Sequence, residues 1–197
     1  MGALHQRLML AAQDPTDPVT RAFAGALETS RAALPAAQPL GLDGAAFQAL
    51  LVRYFPTAAN DLPEFTGAAD AVGCPALRSE EYDDLLQLLL AYRSDGSDET
   101  TLWLASAVAA ACLGQNHLWQ DLGLANRQEL SELLKTRFAA LYARNTGNMK
   151  WKKFFYKQLC ERAGVNACRA PSCQVCGDYF QCFGPEEALL SGLGRNG

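Results

Sequence analysis

Apolar residues recur at helical spacing along most of this chain, interrupted by short polar turns, and the rhythm stops after Gly164. Residues 1–40 are rich in alanine and punctuated by Pro15, Pro18, Pro35 and Pro39; one helix is predicted there, near Val19 to Leu34, and the remainder is loosely constrained. Asp43 is a good N-cap for a helix through Phe47, Leu50, Leu51 and Tyr54, which Pro56 stops. A loop follows from about residue 56 to 78, carrying Pro63, Gly67, Gly73 and Pro75. Ser79 caps SEEYDDLLQLLLAYRS, with acidic residues in its first turn and Arg93 in its last, as the helix dipole favours. SDGSD is a turn, and Asp98 opens TLWLASAVAAACLG, apolar enough to be buried on most sides. Asn126 and Glu129 form a capping box for ELSELLKTRFAALYARN. The last predicted helix is NMKWKKFFYKQLCERAG. At about 100° per residue, Trp151, Phe154, Phe155 and Leu159 share an apolar face, and Lys150, Lys153 and Lys157 share a basic stripe. No strand and no internal repeat is legible.

Composition narrows the class. The 197 residues are 49% hydrophobic and 19% charged, which is globular rather than disordered. A formal net charge of −4 argues against a general nucleic-acid binder. No run approaches the roughly 18 apolar residues that span a bilayer. The opening MGALHQRLML is interrupted by His5 and Arg7, lacks a small-residue cleavage site, and has Gln6 where myristoylation wants Ser or Thr. Seven cysteines without an export signal point to reduced thiols, hence to a cytoplasmic protein without membrane or nucleic-acid partners.

Four of those cysteines fall within fifteen residues, as Cys168-x4-Cys173-x2-Cys176-x5-Cys182. Thiolates at this density are ligands for an iron–sulphur cluster or for structural zinc. Four-cysteine zinc sites usually present two close pairs separated by a longer span. Here there is one close pair, Cys173 and Cys176, flanked tightly on both sides. The first three positions repeat the spacing of plant-type ferredoxins, with the fourth much closer, so spacing favours a compact cluster over zinc. A thioredoxin-like role for Cys173 and Cys176 is weak without a βαβ setting. The organisation expected is therefore all-α: a single helical domain with an irregular C-terminal cysteine-rich metal-binding loop. Residues 1–40 form a variable Ala/Pro-rich segment, 41–164 the helical body, 165–187 the cluster-binding loop, and 188–197 a flexible tail.

Other residues carry weaker signals. Arg162, Arg169 and the lysine stripe, Lys153 and Lys157 included, could offset the charge of a thiolate-rich site or attract an oxyanion; equally, the lysines could be a solvated helix face. His117 could ligate a metal or shuttle a proton, with Asp121 orienting it, but a helix-end histidine bonded into the fold is the plainer reading. Cys160 could be a spare ligand, although a structural thiol is the better reading; Cys112 reads as a small core residue and Cys74 has no evident partner. Trp103, Trp119 and Trp151 read as packing residues. The closing Gly192-Leu-Gly194-Arg-Asn-Gly197 satisfies a dinucleotide fingerprint formally, yet no helix follows to hold a pyrophosphate.

Three segments together resemble the NifQ family of bacterial nitrogen-fixation proteins: HLWQDLGL from His117, MKWKKFFYKQLCE from Met149, and the cysteine loop ending DYFQCFGPEE at Glu187. The resemblance covers residues 43–187 in layout and is motif-specific from 104 onward. It implies a carrier of a molybdenum–iron–sulphur cluster that donates molybdenum for assembly of the nitrogenase iron–molybdenum cofactor, a metal donor and not an enzyme. It implies the scaffold NifEN and the nitrogenase reductase NifH as partners, molybdate or another molybdenum source as supply, and Cys168, Cys173, Cys176 and Cys182 as ligands. The alternatives are a zinc-stapled interaction module and an iron–sulphur redox protein acting on molybdenum.

Overall fold

The computed structural model describes residues 2–31, 34, 38–58, 62, 65, 79–94 and 99–162. The chain divides into two units, Met1–Arg144 and Asn145–Gly197. Among the described residues all regular structure is helical, with no strand, and no helix is long and apolar enough to cross a membrane.

In the first unit α1 covers Ala3–Leu10 and α2 Pro18–Ser30. Asp17 caps α2, accepting from the amides of Val19 and Thr20 at 3.1 and 3.2 Å, with Pro18 at the first helical position, where its missing N–H costs nothing. After a 3-10 turn at Pro39–Gly41, α3 (Gly44–Tyr54) starts at Asp43, whose carboxylate accepts from the Ala46 amide at 2.8 Å. Ser79 caps α4 (Glu80–Ala91), accepting from Tyr82 N at 3.2 Å. Then α5 runs over Glu99–Cys112, α6 over Leu118–Asp121, α7 over Arg127–Arg137 and α8 over Ala139–Arg144.

The core is organised about α5, in which every residue from Thr100 to Cys112 except Leu102 is buried. α2 makes the most extensive contact with it and α4 the next. Phe23 of α2, Leu85, Leu88 and Leu89 of α4, and Leu104 and Val108 of α5 are fully buried. Aromatic packing joins the elements as well: Phe23 meets Tyr54 at 4.8 Å between ring centroids, and the Tyr54 hydroxyl lies 3.1 Å from Thr100 Oγ1. An ion pair between Arg21 and Glu129 ties α2 to α7.

Tyr82 binds the 3-10 turn. Its ring is wholly buried and its hydroxyl donates to the Leu40 carbonyl at 2.6 Å. Leu40 has φ 54°, a left-handed backbone that costs a β-carbon-bearing residue roughly 1–2 kcal/mol. Tyr82→Phe strands that buried carbonyl and should lower unfolding free energy by about 1–3 kcal/mol, read as a lower urea midpoint at unchanged slope. A midpoint equal to that of the native chain would show the bond to be dispensable.

Five features of the first unit depart from the sequence expectations. α2 ends at Ser30, short of the expected Leu34. The Asn126–Glu129 capping box is incomplete: Asn126 Oδ1 accepts from Glu129 N at 2.9 Å, but the Glu129 carboxylate accepts from Ala125 N at 2.8 Å rather than from the Asn126 amide. The opening residues form α1, where no helix is predicted, burying Leu4, His5 and Leu8. α4 ends at Ala91, so Arg93 lies beyond its last turn. The single helix expected after Asn126 is two, broken at Phe138 (φ −137°, ψ 50°). Ser94, from the segment after α4, occupies the break: its amide donates to Arg137 O and its hydroxyl accepts from Ala139 N, both at 2.8 Å. Arg144 of α8 reinforces the junction, donating to the Tyr92 hydroxyl at 3.1 Å with its guanidinium 5.6 Å from the Tyr92 ring centroid.

In the second unit α9 spans Trp151–Arg162. Asn145 organises its approach, accepting from Met149 N at 2.8 Å and donating to Met149 O at 2.9 Å, while Asn148 takes a left-handed φ of 51°. Trp151, Phe154 and Phe155 are buried and stack along the helix, with centroids 5.7–5.9 Å apart.

Candidate functional site

The expected cluster ligands Cys168, Cys173, Cys176 and Cys182, together with Arg169, lie outside the described residues, as do Cys74 and the glycine-containing tail. The chemistry of that donor set is fixed by sequence: four thiolates on one short segment suit iron–sulphur or zinc. Among the described residues no three His, Cys, Asp or Glu side chains come together to hold a metal ion.

α9 leads towards that loop in sequence. Its apolar face holds Trp151, Phe154 and Phe155 as expected, but Gln158 is buried where Leu159 is only half-buried. The basic stripe is also modified. Lys153 and Lys157 are exposed, whereas Lys150 is buried. Lys157 pairs with Glu161 one turn on, at 3.8 Å, so part of its charge is already answered. Cys160, in the last turn, is a half-buried thiol.

His117 belongs to the first unit, at the N-cap of α6. Its amide donates to Gln120 Oε1 at 3.1 Å, one arm of a capping box. Asp121 is 2% exposed and its carboxylate accepts from Asn116 twice, from the backbone amide at 3.1 Å and from Nδ2 at 2.9 Å. The Asp121 carbonyl takes a hydrogen bond from Thr29 Oγ1 at 3.0 Å, joining α6 to α2. Asp121 thus fastens the α5–α6 connection.

The same segment walls a cleft of about 470 Å³ between α1, α2 and α6. Its polar lining includes His5, Glu28, Asn116, Gln120 and Asp121, beside Trp119. Glycines let the walls approach. A β-carbon on Gly25 would land on the backbone of Leu122 and Gly123, so α2 and the turn after α6 meet main chain to main chain. Gly123 has φ +65°, and a β-carbon there would sit 3.0 Å from His5 Nε2.

His5 itself is 8% exposed, and its Nε2 is buried without a hydrogen-bond partner. Such an orphan costs about 1–3 kcal/mol. Burial pushes the imidazole below its ordinary pKa, opposed by the Glu28 carboxylate, so the ring is favoured neutral. Glu28 Oε2 accepts from the His5 backbone amide at 3.0 Å, capping α1 from the neighbouring helix. Sequence reading passed over His5 and Glu28. The available signal was Leu4, His5 and Leu8, which place the histidine on the apolar side of one short helix.

The NifQ family model matches residues 20–184, a span that includes all four loop cysteines and the segment from His117 to Leu124. The chain is similar to Protein NifQ of Azotobacter vinelandii, 46% identical over 154 residues, covering 75% of this chain and 78% of that protein. It is also similar to Protein NifQ of Rhodobacter capsulatus, 34% identical over 152 residues (77% and 79%), and to Protein NifQ of Klebsiella pneumoniae, 48% identical over 81 residues (41% and 48%). No solved structure matches the chain.

Proposed function

The chain belongs to the NifQ family, and from that premise we propose that it is a molybdenum carrier of nitrogen fixation, holding the metal as part of an iron–sulphur cluster and donating it to assembly of the nitrogenase iron–molybdenum cofactor. The observation that carries this reading is the cysteine quartet at Cys168, Cys173, Cys176 and Cys182, lying within the family match. Molybdate is a hard oxyanion, whereas the finished cofactor holds molybdenum among sulphides. Cargo bound through sulphur would arrive in a form close to the one required. The recipients are the scaffold NifEN and the reductase NifH, in the cytoplasm. The protein delivers metal and turns over no diffusible substrate.

Electrostatics supports an accessory role for nearby cations. Thiolate-rich clusters stay net negative, and Arg169 in the loop, with Lys153 on the preceding helix, lowers the cost of holding one.

Purification without oxygen, followed by iron, molybdenum, zinc and acid-labile sulphide quantification with paramagnetic resonance, tests the reading. A brown, oxygen-sensitive protein is expected, with iron in excess of or equal to molybdenum, and with molybdenum moving to an acceptor on mixing. A colourless protein with about one zinc and no labile sulphide would instead make the loop a structural staple. A reversibly reduced cluster that never yields molybdenum would make the protein a redox carrier.

A further inference from the structure

Lys150 stands at the entrance of α9, where its carbonyl accepts from Phe154 N at 2.9 Å, and it is only 8% exposed. That fraction is all the surface left to backbone, stem and ammonium together, so the ammonium is largely stripped of water. Among the described residues no carboxylate or other acceptor meets it. Its Nζ is nevertheless not one of the wholly enclosed, unbonded side-chain atoms of the described residues, so the tip keeps an opening that a small solute can reach. A desolvated cation without an anion is costly to hold.

The neighbourhood adds to that cost. Between Lys150 and Arg162 the chain carries five cations, Lys150, Lys152, Lys153, Lys157 and Arg162, against one carboxylate, Glu161, although its net charge is −4. Glu161 pairs with Lys157. Lys153, one turn from Lys150, is exposed and has no carboxylate partner among the described residues. α9 also has no acid in its first turn, at the positive end of the helix dipole, where α4 has Glu80, Glu81 and Asp83. Stability alone would place an acidic or apolar residue there, and local conflicts of this kind mark functional sites.

These features select the ligand. It is an anion, and a small one, because an ammonium so nearly covered is out of reach of a partner's surface. Two uncompensated ammonium groups match a doubly charged ion better than chloride. Oxygen acceptors on every side suit groups that donate in several directions. We propose that Lys150, with Lys153 beside it, binds a small tetrahedral oxyanion of double negative charge at the start of α9. The identification of molybdate as the ion taken in use rests on the molybdenum-carrier reading; the site itself does not. On that reading, the helix preceding the cysteine loop in sequence collects the oxyanion before sulphur takes the metal.

The test is equilibrium dialysis of the full-length, cluster-free chain against molybdate, with sulfate and chloride as competitors at equal ionic strength. Saturable binding is expected, displaced by sulfate and not by chloride, with a thermal midpoint that rises as molybdate is added. Lys150→Met should weaken binding about 10- to 100-fold, while its midpoint without oxyanion holds or rises because an unpaired charge is gone. Lys153→Gln alters an exposed side chain and leaves folding intact; it should weaken binding about two- to fivefold, which covers the case of a misfolded Lys150→Met. Cys173→Ala should bind molybdate as the native chain does. No saturable binding at millimolar molybdate, native affinity in both lysine variants, loss of binding in Cys173→Ala, or equal displacement by chloride would overturn the proposal. The dialysis needs no cluster, so its failure and failure of metal loading are separate results.

Discussion

Cys173→Ala, purified without oxygen, should retain less than about a tenth of the iron and molybdenum of the native chain, because a vacated cluster corner loses both a bond and the chelation of its neighbours. The same loss is expected at Cys168, Cys176 and Cys182, since four thiols on one short segment leave no spare ligand among them. Cys160→Ala separates ligand from bystander: this half-buried thiol in the last turn of α9 should leave loading unchanged if it is structural. The helical circular dichroism signal should persist in all five variants, because the helices of the first unit have their own packed core around α5. Full metal content in any quartet variant would remove that cysteine from the ligand set.

Gly25→Ala is expected to be the most damaging small substitution in the first unit. In an exposed helix the change would stabilise by about 1 kcal/mol, from helix propensity alone. At Gly25 the new methyl meets the Leu122 carbonyl carbon and the Gly123 amide, atoms of main chain that cannot swing aside. Separating α2 from α6 also disturbs the Thr29–Asp121 bond and the cleft. A net loss of about 3 kcal/mol or more should follow, measured by urea unfolding. A stabilised variant would show that α6 yields freely.

The helices legible in the sequence are those whose ends are written locally. Asp17, Asp43, Ser79 and Asn126 each hold a helix start with an oxygen that bonds two or three residues ahead. Asp17 shows the limit: the start of its helix is legible to within a residue, whereas the end, expected at Leu34 in alanine-rich surroundings with no local stop signal, comes at Ser30. α5 was equally legible, since a 14-residue helix apolar on every side has nowhere to lie but in a core. α1 was not, because Leu4 and Leu8 alone make too short a pattern and its cap is Glu28, from another helix. The break at Phe138 is invisible in its own neighbourhood, which reads as uninterrupted helix; the group that occupies it arrives from residue 94. The cysteine quartet was the clearest chemical signal in the sequence, because ligand spacing is itself a local pattern. The His5 cleft depends on three separate stretches of chain, and an orphaned nitrogen is a property of surroundings that no single stretch contains.

Ser94 gears two distant parts of the first unit together. The junction between α7 and α8 has no tooth of its own at Phe138; it borrows one from the segment after α4, with the Tyr92–Arg144 stack alongside. Displacing the 92–94 stretch therefore breaks bonds at the start of α8, 45 residues away in sequence.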